Sequence, residues 1–173
     1  MTVRRRAALL LLAAGTVLLG ACTDKADALD RQRTQRAVGD AVARQVEPDV
    51  TGTRCTGSLE PKAGGTFSCE VTLEGVGTLP VTVRQTDDEG TLSVVPEAAV
   101  VDQDRIVTEL KATLKDTFER NFQVACEGKA VEIRKPGSES PCVARDATSR
   151  REVTVTVTDI GGTLAFEVGG PAS

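Results

Sequence analysis

Two stretches decide the fold: Val81–Val94, VTVRQTDDEGTLSV, and Val153–Phe166, VTVTVTDIGGTLAF. Placed one above the other at a shift of 72, they share Val, Thr, Val, Thr, Asp, Gly, Thr and Leu, 8 of 14 positions without a gap. Each is a run of β-branched residues leading through an Asp…Gly turn into a second apolar run, the pattern of a hairpin. The same shift carries upstream, setting Val38 on Leu110, Val42 on Leu114, Val46 on Phe118 and Val50 on Phe122. Cys55 falls against Cys126 at a shift of 71, and Cys69 against Cys142 at 73. A small loop insertion or deletion leaves offsets of that size. A helix stripe, two cysteines and a turn recurring in one order point to a tandem duplication. Each copy then closes its own disulfide, Cys55–Cys69 and Cys126–Cys142.

The copies read as follows. Leu29, Ala37/Val38, Ala41/Val42 and Gln45/Val46 recur at helical spacing, with Asp27 or Asp30 as N-cap and Pro48 as the stop. In the second copy Ile106, Val107, Leu110, Leu114 and Phe118 form the stripe, with Asp102 or Asp104 as cap and an end near Asn121. Strands follow. Phe67, Cys69, Val71 and Leu73 alternate with polar residues, and so do Leu79, Val81 and Val83. In the second copy the strands are Phe122–Cys126, Val131–Ile133, a short run Cys142–Arg145 after a turn-rich loop at 135–141, Val153–Val157 and Leu164–Val168. The expected fold class is α+β: two tandem units, each an amphipathic helix packed on a three- to four-stranded antiparallel meander. The expected boundaries are 28–96 for the first repeat, 97–101 for a linker and 102–170 for the second repeat.

Residues 1–22, MTVRRRAALLLLAAGTVLLGAC, read as an address. Arg4–Arg6 form a positive n-region and Ala7–Leu19 an uncharged apolar stretch, shorter than the ~20 residues that span a bilayer. Leu19-Gly20-Ala21-Cys22 resembles the bacterial lipobox, which implies that residues 1–21 are a lipoprotein signal peptide and that Cys22 is acylated. Residues 22–27 then serve as tether. Two or three acyl chains are enough for stable anchoring, where one is marginal. The expected location is the extracytoplasmic face of the cell membrane, with the lipid bilayer as one partner. With Cys22 removed from the five cysteines, four remain, an even number that suits disulfides in an exported chain.

Composition narrows the chemistry. The 173 residues include no His, Trp or Tyr and four Phe. Without imidazole there is no Ser-His-Asp or Cys-His nucleophile pair and no His-held metal. The net charge of −4 falls to −7 once the three arginines of the signal are removed, which argues against nucleic acid as a partner. An acidic body is expected to stand off an anionic bilayer on its tether. Asp87-Asp88-Glu89, the densest acidic cluster, fits a solvated hairpin tip better than a calcium loop, because the second copy has Asp159-Ile160-Gly161 there. Ser138 and Ser140 read as loop polars, and Arg150-Arg151 as a solvated turn.

An export signal with lipobox, an amphipathic helix, two cysteines about a dozen residues apart and a Val-Thr-Val strand together resemble a family of unknown function found in small secreted lipoproteins of high-GC Gram-positive bacteria. The residues that carry this are Cys55, Thr66-Phe-Ser-Cys69-Glu-Val71 and Val81-Thr-Val83, and again Cys126, Cys142 and Val153-Thr-Val155. Thr56 and Glu127 stand where members of that family often have Pro, and Ser140 where copy one has Phe67. The resemblance implies no known activity. The expectation is therefore a noncatalytic binding module with no cofactor and no metal, whose partner is an envelope or extracellular protein. Two alternatives remain: a secreted enzyme inhibitor, since the tandem layout looks like that of the proteinaceous β-lactamase inhibitors, and a carboxylate-based hydrolase.

Overall fold

The computed structural model describes residues 30–57 and 62–171. The signal peptide, Cys22, the tether, Asp27 and Leu29 lie outside them. Asp30 caps helix α1 (Arg31–Ala43), its Oδ1 accepting the Arg33 amide at 2.8 Å. Seventy-two residues later Asp102 caps α2 (Gln103–Phe118) in the same way, accepting the Arg105 amide at 3.0 Å. Each cap satisfies an amide that the helix itself leaves without an acceptor. Asp104, the other candidate, lies in the first turn of α2.

Thr34, Val38 and Val42 are the buried stripe of α1, and Ile106, Leu110 and Leu114 that of α2, again in step at 72. Both helices stop earlier than their sequences suggest. After α1 the amides of Gln45 and Val46 both turn back to the Val42 carbonyl, so the helix closes before Pro48 is reached. After α2, Glu119 adopts the left-handed conformation (φ 54°) while its amide holds the Lys115 carbonyl.

The described residues hold ten strands: β1 (Val50–Thr56), β2 (Thr66–Leu73), β3 (Gly77–Gln85), β4 (Leu92–Pro96), β5 (Ala99–Asp102), β6 (Gln123–Cys126), β7 (Val131–Arg134), β8 (Glu139–Arg145), β9 (Arg150–Val157) and β10 (Leu164–Pro171). Eight of them make two four-stranded antiparallel sheets, in the orders β1-β2-β3-β4 and β10-β9-β8-β6. The architecture is α+β. Equivalent pairs meet in both sheets: Cys69 opposes Val81 and Cys142 opposes Val153, while Val83 opposes Val94 and Val155 opposes Phe166. Alternation places Phe67, Cys69, Val71 and Leu73 of β2 inward, with Val81 and Val83 of β3, against Val38 and Val42. The second core has Val153, Val155 and Val157 of β9 against Leu110 and Leu114.

The third sheet is the departure from the sequence reading. Residues 97–101, expected to be linker, hold most of β5, and β7 does not continue the β6 sheet but pairs with β5, Val100 opposite Ile133. The reason is burial on both faces. Ala99 and Val101 sit in the second core, while Val100 and Ile133 pack against the first. A strand enclosed on both sides is apolar throughout, and Ala98-Ala-Val-Val101 therefore shows no period-two signal. β8 also begins earlier than expected, at Glu139. This takes Ser140 out of the loop and buries it, 3% exposed.

Leu110 is fully buried at the centre of the α2 stripe. Leu110→Ala is expected to lower unfolding stability by about 2–5 kcal/mol, measured by urea denaturation. A loss below about 0.5 kcal/mol, the usual range for a surface site, would mean that α2 does not pack as described.

Candidate functional site

The four described cysteines form two bridges, Cys55–Cys69 and Cys126–Cys142. Each joins residues directly opposite on paired strands, β1 to β2 and β6 to β8, with the Cα atoms 4.0 Å apart. Cys55, Cys69 and Cys142 are buried and Cys126 is half-buried, so the bridges belong to the sheet cores. Arg31 reinforces the first from α1, its Nη1 donating to the Cys55 carbonyl at 2.9 Å.

The acidic cluster resolves into separate tasks. Asp87 Oδ1 accepts the Thr91 amide at 2.8 Å, and the Thr86 amide and hydroxyl both donate to the Thr91 carbonyl. Asp159, Thr163 and Thr158 repeat those three bonds in the second hairpin. Thr-Asp-x-x-Gly-Thr is thus a turn-closing device, with Gly90 (φ 92°) and Gly162 (φ 78°) supplying the left-handed residue. Hydrogen bonds from the side chain and amide of Thr91 hold the Asp87 carboxyl below its ordinary value, and Thr163 does the same for Asp159. Asp88 turns the other way and accepts the Ala63 amide at 2.9 Å.

Arg150 and Arg151 are not a turn; they open β9. Arg150 pairs with Glu152 at 3.2 Å. The Arg151 guanidinium lies 4.4 Å from the centre of the Phe118 ring, which meets Phe122 edge-on at 5.8 Å. All four Phe belong to the two cores or pack against them.

Of the concavities among the described residues, the candidate site lies where the two halves meet. A cleft of about 440 Å³ opens beside the C-terminal end of α1. Its lining is mixed in polarity, and its apolar part is drawn from both halves: Val46, Leu79, Ala98 and Val100 from one side, Val131 from the other. Ile160, at the tip of the β9–β10 turn, stands on the lip and is 43% exposed. Glu47, Asp102 and Arg105 supply charge at the edge, and Arg105 is paired with Glu109 at 2.7 Å. The volume and the mixed lining suit a bound side chain or short segment with both apolar and polar groups. Among the described residues no hydroxyl, thiol or amine side chain lines it. No catalytic motif in the sequence marks this site, because its residues are scattered over five separate elements and the loops between them. The visible signal was Ile160, a large apolar residue at a turn where the first hairpin has Asp88.

With this geometry in place the chain can be set beside known proteins. Residues 12–90 match the sequence model of a domain of unknown function, DUF4333. The DUF4333 stretch is less than half of the chain. It takes in Cys22, α1 and β1–β3 and stops at Gly90 in the first hairpin turn, so β5, β7 and all of the second sheet lie beyond it. No curated protein and no solved structure gives a match.

Asp146 lies in the β8–β9 turn. Its Oδ1 accepts the Thr148 amide at 2.8 Å and the Ser149 amide at 2.6 Å, and these bonds bring its carboxyl down to about 2. Arg120 Nη1 lies 3.0 Å from the other oxygen. A carboxyl depressed in the folded state stabilises above its unfolded value of about 3.9, and the gain is lost as pH falls through the folded value. The Asp146 carboxyl carbon should therefore titrate near pH 2 by NMR, and Asp146→Asn should flatten the stability profile between about pH 4 and 2. Titration near pH 4 would contradict the turn geometry.

Proposed function

We propose that this chain is a lipid-anchored extracytoplasmic module that binds a partner without catalysis, built from two copies of one α+β unit. Anchoring rests on the order of n-region, apolar stretch and Leu19–Cys22. Duplication is supported by the caps, helix stripes, bridges and Thr-Asp turns that recur at a shift of 71 to 73. The second half would then be a diverged copy of the DUF4333 stretch. The observation that carries the binding role is the cleft: both halves contribute apolar residues to its lining, and an exposed Ile160 is among them. The occupant is read as an apolar segment of an envelope or extracellular protein. The absence of imidazole from the whole chain, and of nucleophiles from the cleft lining among the described residues, favours binding over turnover. The inhibitor alternative loses support because every Phe is committed to a core, leaving no aromatic anchor for an interface.

Two experiments test the two parts. Cys22→Ala should move the protein from the membrane fraction to the medium; retention on the membrane would contradict the lipid anchor. A photo-crosslinking residue at Ile160, in the lipidated protein in its native envelope, should give a discrete adduct that the same residue at exposed Val95 does not give. Identical patterns at both positions, or none at Ile160, would contradict a binding role for the cleft.

A further inference from the structure

The two helices occupy equivalent places, but their charges differ. α1 and its C-cap carry Arg31, Arg33, Arg36 and Arg44 against one acid, Asp40. α2 balances Arg105, Lys111 and Lys115 against Asp104, Glu109 and Asp116. All four arginines of α1 are exposed, and among the described residues none lies within 4.0 Å of a carboxylate. Arg31 is engaged with the Cys55 carbonyl. Arg33, Arg36 and Arg44 share the face of the helix opposite the buried Thr34–Val38–Val42 stripe. Two of the arginines stand in the first turn, which holds no acid, and this opposes the helix dipole. The helix dipole therefore does not account for Arg31 and Arg33.

Their position in the chain does. Asp30, the α1 cap, follows Cys22 by eight residues, a reach of at most about 28 Å. α1 is the described element nearest the anchor in the chain, and it carries more net positive charge than any other described element of an acidic body. From Glu47 to the end the chain has 13 basic and 21 acidic residues. A body so polarised turns its basic face to a negative surface and its acidic bulk away. We propose that the exposed face of α1, through Arg33, Arg36 and Arg44, docks on the anionic headgroups of the bilayer that holds the anchor. This replaces the expectation of an acidic body standing off the membrane. It rests on the lipid-anchor reading for its orientation, but not for its test.

The test uses the mature chain from residue 22 with Cys22→Ala, so no acyl chain contributes. It is mixed with sedimentable vesicles of equal parts phosphatidylglycerol and phosphatidylcholine at low ionic strength, where the Debye length is about 30 Å. The protein should sediment with these vesicles, not with phosphatidylcholine alone, and should be released at about 0.5 M salt. R33Q/R36Q should weaken binding about fivefold per arginine. K111Q/K115Q makes the same change in net charge on α2 and should leave binding within about twofold. Absence of binding at low salt, equal binding to neutral vesicles, or equal weakening by both double variants would overturn the proposal. None of these outcomes bears on Cys22, whose role is read separately from the release of the Cys22→Ala protein.

Discussion

The rest of the structure depends on the burial of one short strand on both of its faces. β5 sends Ala99 and Val101 into one core and Val100 against the other, and β7 adds Ile133 to the first. Each half alone is a helix on a four-stranded sheet of about 60–70 residues, a size at which core burial leaves little margin. The cores are built mainly from Val, Leu and Ala, which bury less area than aromatic residues would. Sharing a ribbon lets each half bury apolar surface that it would otherwise expose. The cleft is a consequence of the same joint. Where the halves meet around the ribbon, Leu79, Ala98, Val100 and Val131 are left lining a concavity.

Local devices hold each half in register. A disulfide ties the first two strands of each sheet, and a loop of about 15 residues closed in this way contributes roughly 3 kcal/mol by the chain-entropy model. The strand hairpins are closed by Asp side chains that accept backbone amides, at Asp87, Asp146 and Asp159. The next loops repeat as well. Gly64 and Gly137 each donate to the carbonyl ending the adjacent strand, Gln85 or Val157, in stretches that both begin with Lys.

Most of this was legible because it is local. The Val38 and Leu110 stripes have the helical period, the Thr-Asp…Gly-Thr turns have fixed chemistry, and reading the chain as a repeat pairs the cysteines as the bridges do, where spacing alone leaves three arrangements open. What was not legible is long-range. Ala98–Val101 gives no periodic signal because both of its faces are covered, and only tertiary pairing with Val131–Arg134 reveals it as a strand. Arg151 looked like a solvated charge because nothing in its neighbourhood names Phe118, 33 positions away, as the ring it stacks on. Ser140 looked like a loop residue because β8 starts amid Ser, Glu and Pro, which propensity places in turns. The cleft, drawn from five elements, had no sequence signature beyond one exposed isoleucine.

The joint also gives the molecule a direction. α1, basic and, on the proposed anchoring, nearest the membrane, is one pole, and the cleft opens beyond its C-terminal end, about 20 Å along the helix axis from the cap. That separation would leave the cleft facing outward while α1 rests on the bilayer, but it holds only if the two halves behave as one body. Scanning calorimetry of the mature chain tests this directly. A shared β5 predicts a single transition with equal calorimetric and van't Hoff enthalpies, and Val100→Asp, which places a charge between the ribbon and the first core, should split it in two. Two separate transitions in the unsubstituted chain would contradict the account.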